Sequence, residues 1–146
     1  MILQNNCAFS ERELQIKDYL GNKESVLVID DMEEQRYVAE GLLKKLGYSV
    51  TTVASGEEAV DYMKNRSSDL LVLDMIMDPG IDGLETYKRI LKLHPGQKAI
   101  ITSGFSETDR VKEAQKLGAG AYVKKPYMLE KIGMAIKKEL EKKKRD

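Results

Sequence analysis

A chain of 146 residues with 42% hydrophobic side chains suits one domain of ordinary size and excludes two full ones. The 33% charged residues split into 24 basic and 24 acidic, a balance that argues against disorder and against a polyanion-coating protein. A single cysteine, Cys7, rules out an internal disulfide; no secretory leader pattern is visible, and apolar runs are tetrads such as Val26–Ile29 where a bilayer span needs roughly 20 residues, so a cytoplasmic protein is expected.

Residues 1–24 read as a linker or extension, with a short helix over Ser10–Leu20 stopped by Gly21 and an incidental Cys7. Val26–Ile29 is the first apolar strand, followed by a helix whose stripe is Val38, Leu42 and Leu46 and whose end is Gly47. Ser49–Val53 is the second strand, and Ser55 with Glu58 has the capping-box spacing that opens the next helix. Leu70–Leu73 is the third strand. Asp82 then serves as N-cap for a helix carrying Leu84, Tyr87 and Leu91, which ends before His94-Pro95-Gly96, with His94 read as a surface loop residue. Ala99–Thr102 is the fourth strand. Ser106 with Asp109 gives a weaker cap before a helix carrying Val111, Ala114 and Leu117, closed by Gly118. Ala121–Val123 is the fifth strand, and Leu129, Ile132, Ile136 and Leu140 line the last helix. The stretch from Lys137 to Asp146 reads as a solvated face; Glu139, Glu141 and Asp146 dilute its bases too much for a nucleic-acid arm. The methionines scatter as adaptable packing residues.

Uniformly apolar strands alternating with helices indicate a parallel sheet covered on both faces. Right-handed crossovers then give an α/β, flavodoxin-like, doubly wound five-stranded sheet of order 2-1-3-4-5 with five flanking helices. Ligands of such sheets bind beyond the carboxyl ends of the strands, where strand order reverses. Here the first strand ends in Asp30 and Asp31, the third in Asp74, the fourth in Thr102 and Ser103, the fifth in Lys124 and Lys125 before Pro126. At a strand spacing of about 4.8 Å, the first-strand carboxylates neighbour Asp74 while Lys125 lies roughly 10 Å away, within reach of a lysine side chain. Three adjacent carboxylates require a positive charge, and Mg²⁺ suits their oxygen donors. A carboxylate beside Mg²⁺ is a phosphoryl acceptor, and Asp74, on the most uniformly apolar strand, has the most rigid support. Taken singly, aspartates after strands are helix caps, serines satisfy loop amides and Lys-Pro is a turn. Their convergence from four strands on one cleft is what indicates chemistry.

Val-Leu-Val-Ile-Asp30-Asp31, Leu-Leu-Val-Leu-Asp74-Met-Ile-Met, Asp82-Gly83, Ile-Ile-Thr-Ser103-Gly104 and Gly118-Ala-Gly-Ala-Tyr122-Val-Lys-Lys125-Pro126-Tyr127 resemble the receiver domain of two-component response regulators, over about residues 25–146. The resemblance implies a phosphoacceptor at Asp74 and Mg²⁺ (or Mn²⁺) held by Asp31 and Asp74, by Asp30 through water, and by the carbonyl of Ile76. It implies that Lys125 pairs with the phosphate, that Ser103 senses it, that Gly104 leaves the approach open and that Tyr122 is a rotamer switch. Lys125-Pro126 matches the family's cis peptide. The implied partner is a histidine kinase or histidine phosphotransfer domain, with a downstream protein engaged through helix 4, strand 5 and helix 5, and with no nucleic acid or membrane contact. Eight positions separate Asp74 from Asp82 where the family pattern has seven, and Asp78 in this longer loop reads as solvent-facing. Ile76 and Phe105 are apolar where the family controls acyl-phosphate hydrolysis, which implies slow self-dephosphorylation.

Two other functions compete. A haloacid-dehalogenase-type phosphatase needs Asp-x-Asp after its first strand, whereas Asp30 and Asp31 are adjacent; the chain as a receiver module is therefore not expected to turn over external substrates. A flavodoxin-like cofactor binder needs a Gly/Ser/Thr-rich loop after strand one, where Asp30-Asp31-Met32-Glu33-Glu34 would repel a phosphate. Tyr19 to Glu24 resembles the linker before receivers of hybrid sensor histidine kinases. With Met1 inside such a linker, the expectation is a receiver module of such a kinase, and the alternative is a stand-alone single-domain regulator.

Overall fold

Short strands bury themselves only by pairing, and here five pair in parallel. The computed structural model describes residues 20–104 and 107–142. Its elements are β1 (Ser25–Ile29), α1 (Glu33–Lys45), β2 (Ser49–Val53), α2 (Gly56–Asn65), β3 (Leu70–Asp74), α3 (Gly83–Leu93), β4 (Ala99–Ser103), α4 (Asp109–Lys116), β5 (Tyr122–Lys124) and α5 (Leu129–Glu141). The sheet order is β2-β1-β3-β4-β5, the doubly wound arrangement expected from the sequence. Among the described residues no helix is long and apolar enough to cross a membrane. The helix expected over Ser10–Leu20 falls, but for its last residue, outside the described residues, as do Cys7, Phe105 and Ser106.

Side chains alternate across a strand, so each central strand serves two cores. Leu27, Ile29, Leu71, Leu73, Ala99 and Ile101 face α2, α3 and α4 through Met63, Leu84, Tyr87, Ile90 and Val111. Val26, Val28, Leu70, Val72, Ile100 and Val123 face α1 and α5 through Leu43, Ile132 and Ile136. β3 and β4 are buried at every position, whereas edge strand β2 is only partly covered.

Helix ends follow local chemistry. Ser55 accepts the Glu58 N–H at 3.0 Å, and the Glu58 carboxylate reaches back to the Ala54 N–H at 2.8 Å, one residue before the expected reciprocal partner. Asp82 accepts the Glu85 N–H at 3.0 Å. Gly47 and Gly118 adopt φ of +93° and +125° just beyond α1 and α4.

Four local expectations need correction. The buried stripe of α1 is Ala39, Leu43 and Leu46, and Val38 is exposed, because the helix phase is set by small Ala39 lying against the sheet. On α4 Val111 and Ala114 are buried but Leu117 is exposed, and the cap is Thr108, which accepts the Val111 N–H. His94 is half-buried, its Nε2 donating to the Met63 carbonyl at 2.7 Å and so tying the end of α3 to α2. Glu139 is buried inside the stretch read as solvated, because Gly120 offers no side chain: a Cβ there would lie 2.1 Å from Glu139 Oε1.

Gly83 brings the start of α3 close against the end of β3. A Cβ at this position would lie 2.5 Å from the Asp74 carbonyl oxygen and 2.8 Å from Met75 Cα, both backbone atoms that cannot give way. Gly83→Ala is therefore expected to cost about 1–3 kcal/mol, read as a lower urea midpoint; an unchanged midpoint would contradict the packing described here.

Candidate functional site

The pleat that builds the α1/α5-side core continues into the cleft. Asp74 follows Leu70 and Val72 on the same face of β3, and Thr102 stands in register beside it on β4. Asp30 extends the Val26, Val28 series one step past β1, and Lys125 extends Val123 past β5. One alternation rule thus carries a carboxylate, a second carboxylate, a hydroxyl and an ammonium to one side of the sheet's carboxyl edge.

Carboxylate oxygens of Asp30, Asp31 and Asp74 all lie within 4.8 Å of one another. Lys125 crosses to them, its Nζ 2.5 Å from Asp30 Oδ2 and 3.4 Å from Asp74 Oδ1. Asp30 is buried and its other oxygen accepts the Met32 N–H at 2.9 Å, so both oxygens have donors. Asp31 is exposed and accepts the Asp78 N–H at 3.5 Å. Burial pushes the Asp74 carboxyl up to about 7 from its ordinary 3.8, with Asp30 and Asp31 adding to the effect while Lys125 and the Ile76 amide oppose it. Burial alone would lower Lys125, but the Asp30 hydrogen bond and the neighbouring Asp74 hold it above the usual lysine range. An oxygen-only, net-negative cluster of this kind fits a hard divalent cation.

The remaining expected residues flank this cluster. Ser103 ends β4 one residue past Thr102; it is buried, and its carbonyl accepts the Lys125 N–H at 2.8 Å, fastening the lysine's loop to β4. Gly104 is exposed with open space where a Cβ would stand. Ile76 is 47% exposed, so its side chain stands outside the cluster while its amide serves Asp74. Tyr122 pairs with Ile101 and packs half-buried on the opposite face of the sheet. The Lys125-Pro126 peptide is cis, and so is Asp78-Pro79. Asp78 is exposed, as read from the sequence.

Three contributors escaped the sequence reading. Arg36 Nη1 donates to the Asp30 carbonyl at 2.8 Å. Tyr127 lies behind the cluster with its hydroxyl 3.5 Å from Thr102 Oγ1; burial raises that phenol. Arg110 Nη2 meets Asp82 Oδ2 at 2.6 Å, joining the first turn of α4 to the cap of α3 and holding Asp82 below its ordinary value despite partial burial. A signal for the last existed: a base in the first turn of a helix opposes the macrodipole and calls for an acidic partner from elsewhere.

Because the Asp74 carboxyl titrates higher folded than unfolded, folding takes up a proton between about pH 4 and pH 7, and stability falls as pH rises through that window. Asp74→Asn removes the cost. In metal-free buffer it should exceed the parent in stability by up to about 4 kcal/mol near pH 8 and by little near pH 4; urea titrations giving the same difference at both pH values would contradict this.

A model of the response regulator receiver domain matches residues 26–137. Sporulation initiation phosphotransferase F of Bacillus subtilis is 33% identical over 117 residues, which span 80% of this chain and 94% of that protein. Chemotaxis protein CheY of Thermotoga maritima is 32% identical over 114 residues, 77% of this chain and 94% of that one. The crystal structure of a CheY-like receiver domain protein from Methanospirillum hungatei JF-1 covers 80% of this chain and 93% of its own at 26% identity, with a TM-score of 0.74. Likeness of this extent, in sequence as in sheet order, makes the chain a member of the response regulator receiver domain family.

Proposed function

We propose that the chain accepts a phosphoryl group from a phosphohistidine onto Asp74 and thereby switches a protein-binding surface. The observation that carries this reading is the Lys125 ammonium lying between Asp30 and Asp74, with Asp31 alongside. Asp31, Asp74 and the Ile76 carbonyl would hold Mg²⁺, with Asp30 acting through water. When bound, the ion neutralises charge on the transferring phosphoryl group. An Asp74 carboxylate oxygen forms the new bond to phosphorus as the phosphorus–nitrogen bond of the donor breaks, and the imidazole leaves with its electron pair. Lys125 releases its bridge to Asp30 and Asp74 and pairs with the incoming phosphate. The Ser103 hydroxyl supplies a hydrogen bond to it from the end of β4.

The output follows from the same strands. Ser103 moving toward phosphate pulls on the loop that leads to α4, Tyr122 turns inward, and the face of α4, β5 and α5 changes for a protein partner. Only differential stabilisation of a pre-existing packing is needed. The upstream partner is a histidine kinase or a histidine phosphotransfer domain, in the cytoplasm, and residues 1–24 act as a linker or extension of the receiver unit over 25–146. The linker resemblance supports a receiver module of a hybrid sensor histidine kinase. A stand-alone regulator is the second reading, favoured by the two relatives matched over 94% of their own lengths.

Incubation with acetyl phosphate and Mg²⁺ should add one phosphoryl group, seen as a single mass shift. Asp74→Asn should abolish it, chelation of Mg²⁺ should prevent it, and Lys125→Ala should slow it, since the ammonium beside Asp74 opposes the rise of its pKa. Steady phosphate release without a stable adduct would indicate a phosphatase instead.

Ile76, exposed at the mouth of the cleft, cannot orient a water for attack on the acyl phosphate. Ile76→Asn is expected to shorten the phosphate lifetime; equal lifetimes in the two proteins would remove slow hydrolysis as a property of this site.

A further inference from the structure

The geometry points to Glu57, on α2 and outside the acidic cleft, as a positioning residue for the cation site, an inference that rests on the reading of that cleft given above. The link is the loop between β3 and α3, longer by one residue than the family pattern. Besides the Ile76 amide on Asp74 and the Arg110 bridge to Asp82, three contacts hold this loop. At its base the Gly83 N–H donates to the Met75 carbonyl at 3.0 Å. On the cleft side the Asp78 N–H faces Asp31 Oδ2 at 3.5 Å. On the far side the Ile81 N–H donates to Glu57 Oε2 at 3.0 Å. Gly80, at φ +100°, lies against the same carboxylate, and a Cβ there would come within 2.7 and 2.8 Å of its two oxygens.

Glu57 is a firm post for this purpose. It occupies the first turn of α2, where a carboxylate is favoured by the helix N-terminus. The Ile81 amide, followed by the residue's own amide, holds it below the ordinary range. The helix start is wedged in place: a Cβ on Gly56 would lie 2.0 Å from Thr86 Oγ1 and 2.6 Å from Ile81 Cγ1. From Ile81 back to Asp78 is one short span of exposed or half-buried residues with little packing of its own, so the Glu57 bond at one end restrains the Asp78 amide at the other. That amide is a neutral donor aimed at Asp31, whose carboxylate is otherwise exposed. Ile76, whose carbonyl would face the ion, belongs to the same loop.

Outer-shell donors to metal ligands commonly contribute about 10- to 100-fold to affinity, so a tether acting one step further out should contribute about 3- to 10-fold. The test is a calorimetric Mg²⁺ titration of the parent, Glu57→Ala and Glu57→Gln, with amide hydrogen exchange of Asp78 and Ile81 read by NMR without metal. Glu57 is exposed, so neither substitution touches the core. Glu57→Ala should raise the Kd for Mg²⁺ about 3- to 10-fold and speed exchange at both amides. Glu57→Gln loses the charge but keeps an acceptor oxygen, and should stay within about 2-fold of the parent. An alanine variant with the parental Kd, faster exchange confined to Ile81, or a glutamine variant as weak as alanine would each overturn the tether. A parent that binds no divalent cation would instead overturn the reading of the cleft, and the tether with it.

Discussion

Lys125 stands 2.5 Å from one buried carboxylate and 3.4 Å from another, and the carboxyl edge of the sheet holds together around that contact. Each pair of ionised carboxylates at about 4 to 5 Å would repel by roughly 3–4 kcal/mol at an effective dielectric near 20. One ammonium offsets part of this. Asp30 is satisfied by Lys125 and the Met32 amide, while burial, aided by the neighbouring carboxylates and only partly opposed by Lys125, pushes the Asp74 carboxyl up to about 7. The cluster stays net negative, three carboxylates against one ammonium.

The sheet makes such an arrangement tolerable. β3 and β4 are buried along their whole length, so Asp74 and Thr102 are carried by the stiffest part of the molecule. The β1-β3 adjacency, which exists only because strand order reverses there, sets Asp30 next to Asp74. Past β4, the Lys125 amide is bonded to the Ser103 carbonyl. The end of β4 and the segment carrying the lysine are thus joined through the backbone, with Tyr122 on β5 packed on the other face of the sheet.

Around this rigid centre, the loops are held by charged side chains at helix starts. Arg110 at the start of α4 grips Asp82 at the start of α3, and Glu57 at the start of α2 grips Ile81 in the β3-α3 loop. The two devices differ in kind. Glu57 agrees with its helix dipole and spends its acceptor capacity on the loop, whereas Arg110 opposes its own and draws its stability from a partner on another helix. Both contacts lie at the surface, where loop movement is least constrained by packing.

Apolar tetrads, caps at Ser55 and Asp82, and glycines at 47 and 118 are enough to read the strands, the helices and the doubly wound sheet, because short uniformly apolar runs, helical stripes and caps are local properties of the chain. The same local logic placed Asp30, Asp31, Asp74, Ser103 and Lys125 at strand ends, and the structure brings the three aspartates and Lys125 together there. That logic did not reach the phase of α1, where Ala39 rather than Val38 turns inward, nor the burial of Glu139 beneath Gly120, since each depends on the size of a side chain on a different element. Nor did it reach Arg36, Tyr127, Arg110 or Glu57, whose partners lie across turns and on neighbouring helices. Spacing along a chain specifies which face a residue occupies; only packing brings two faces together and decides which charges meet.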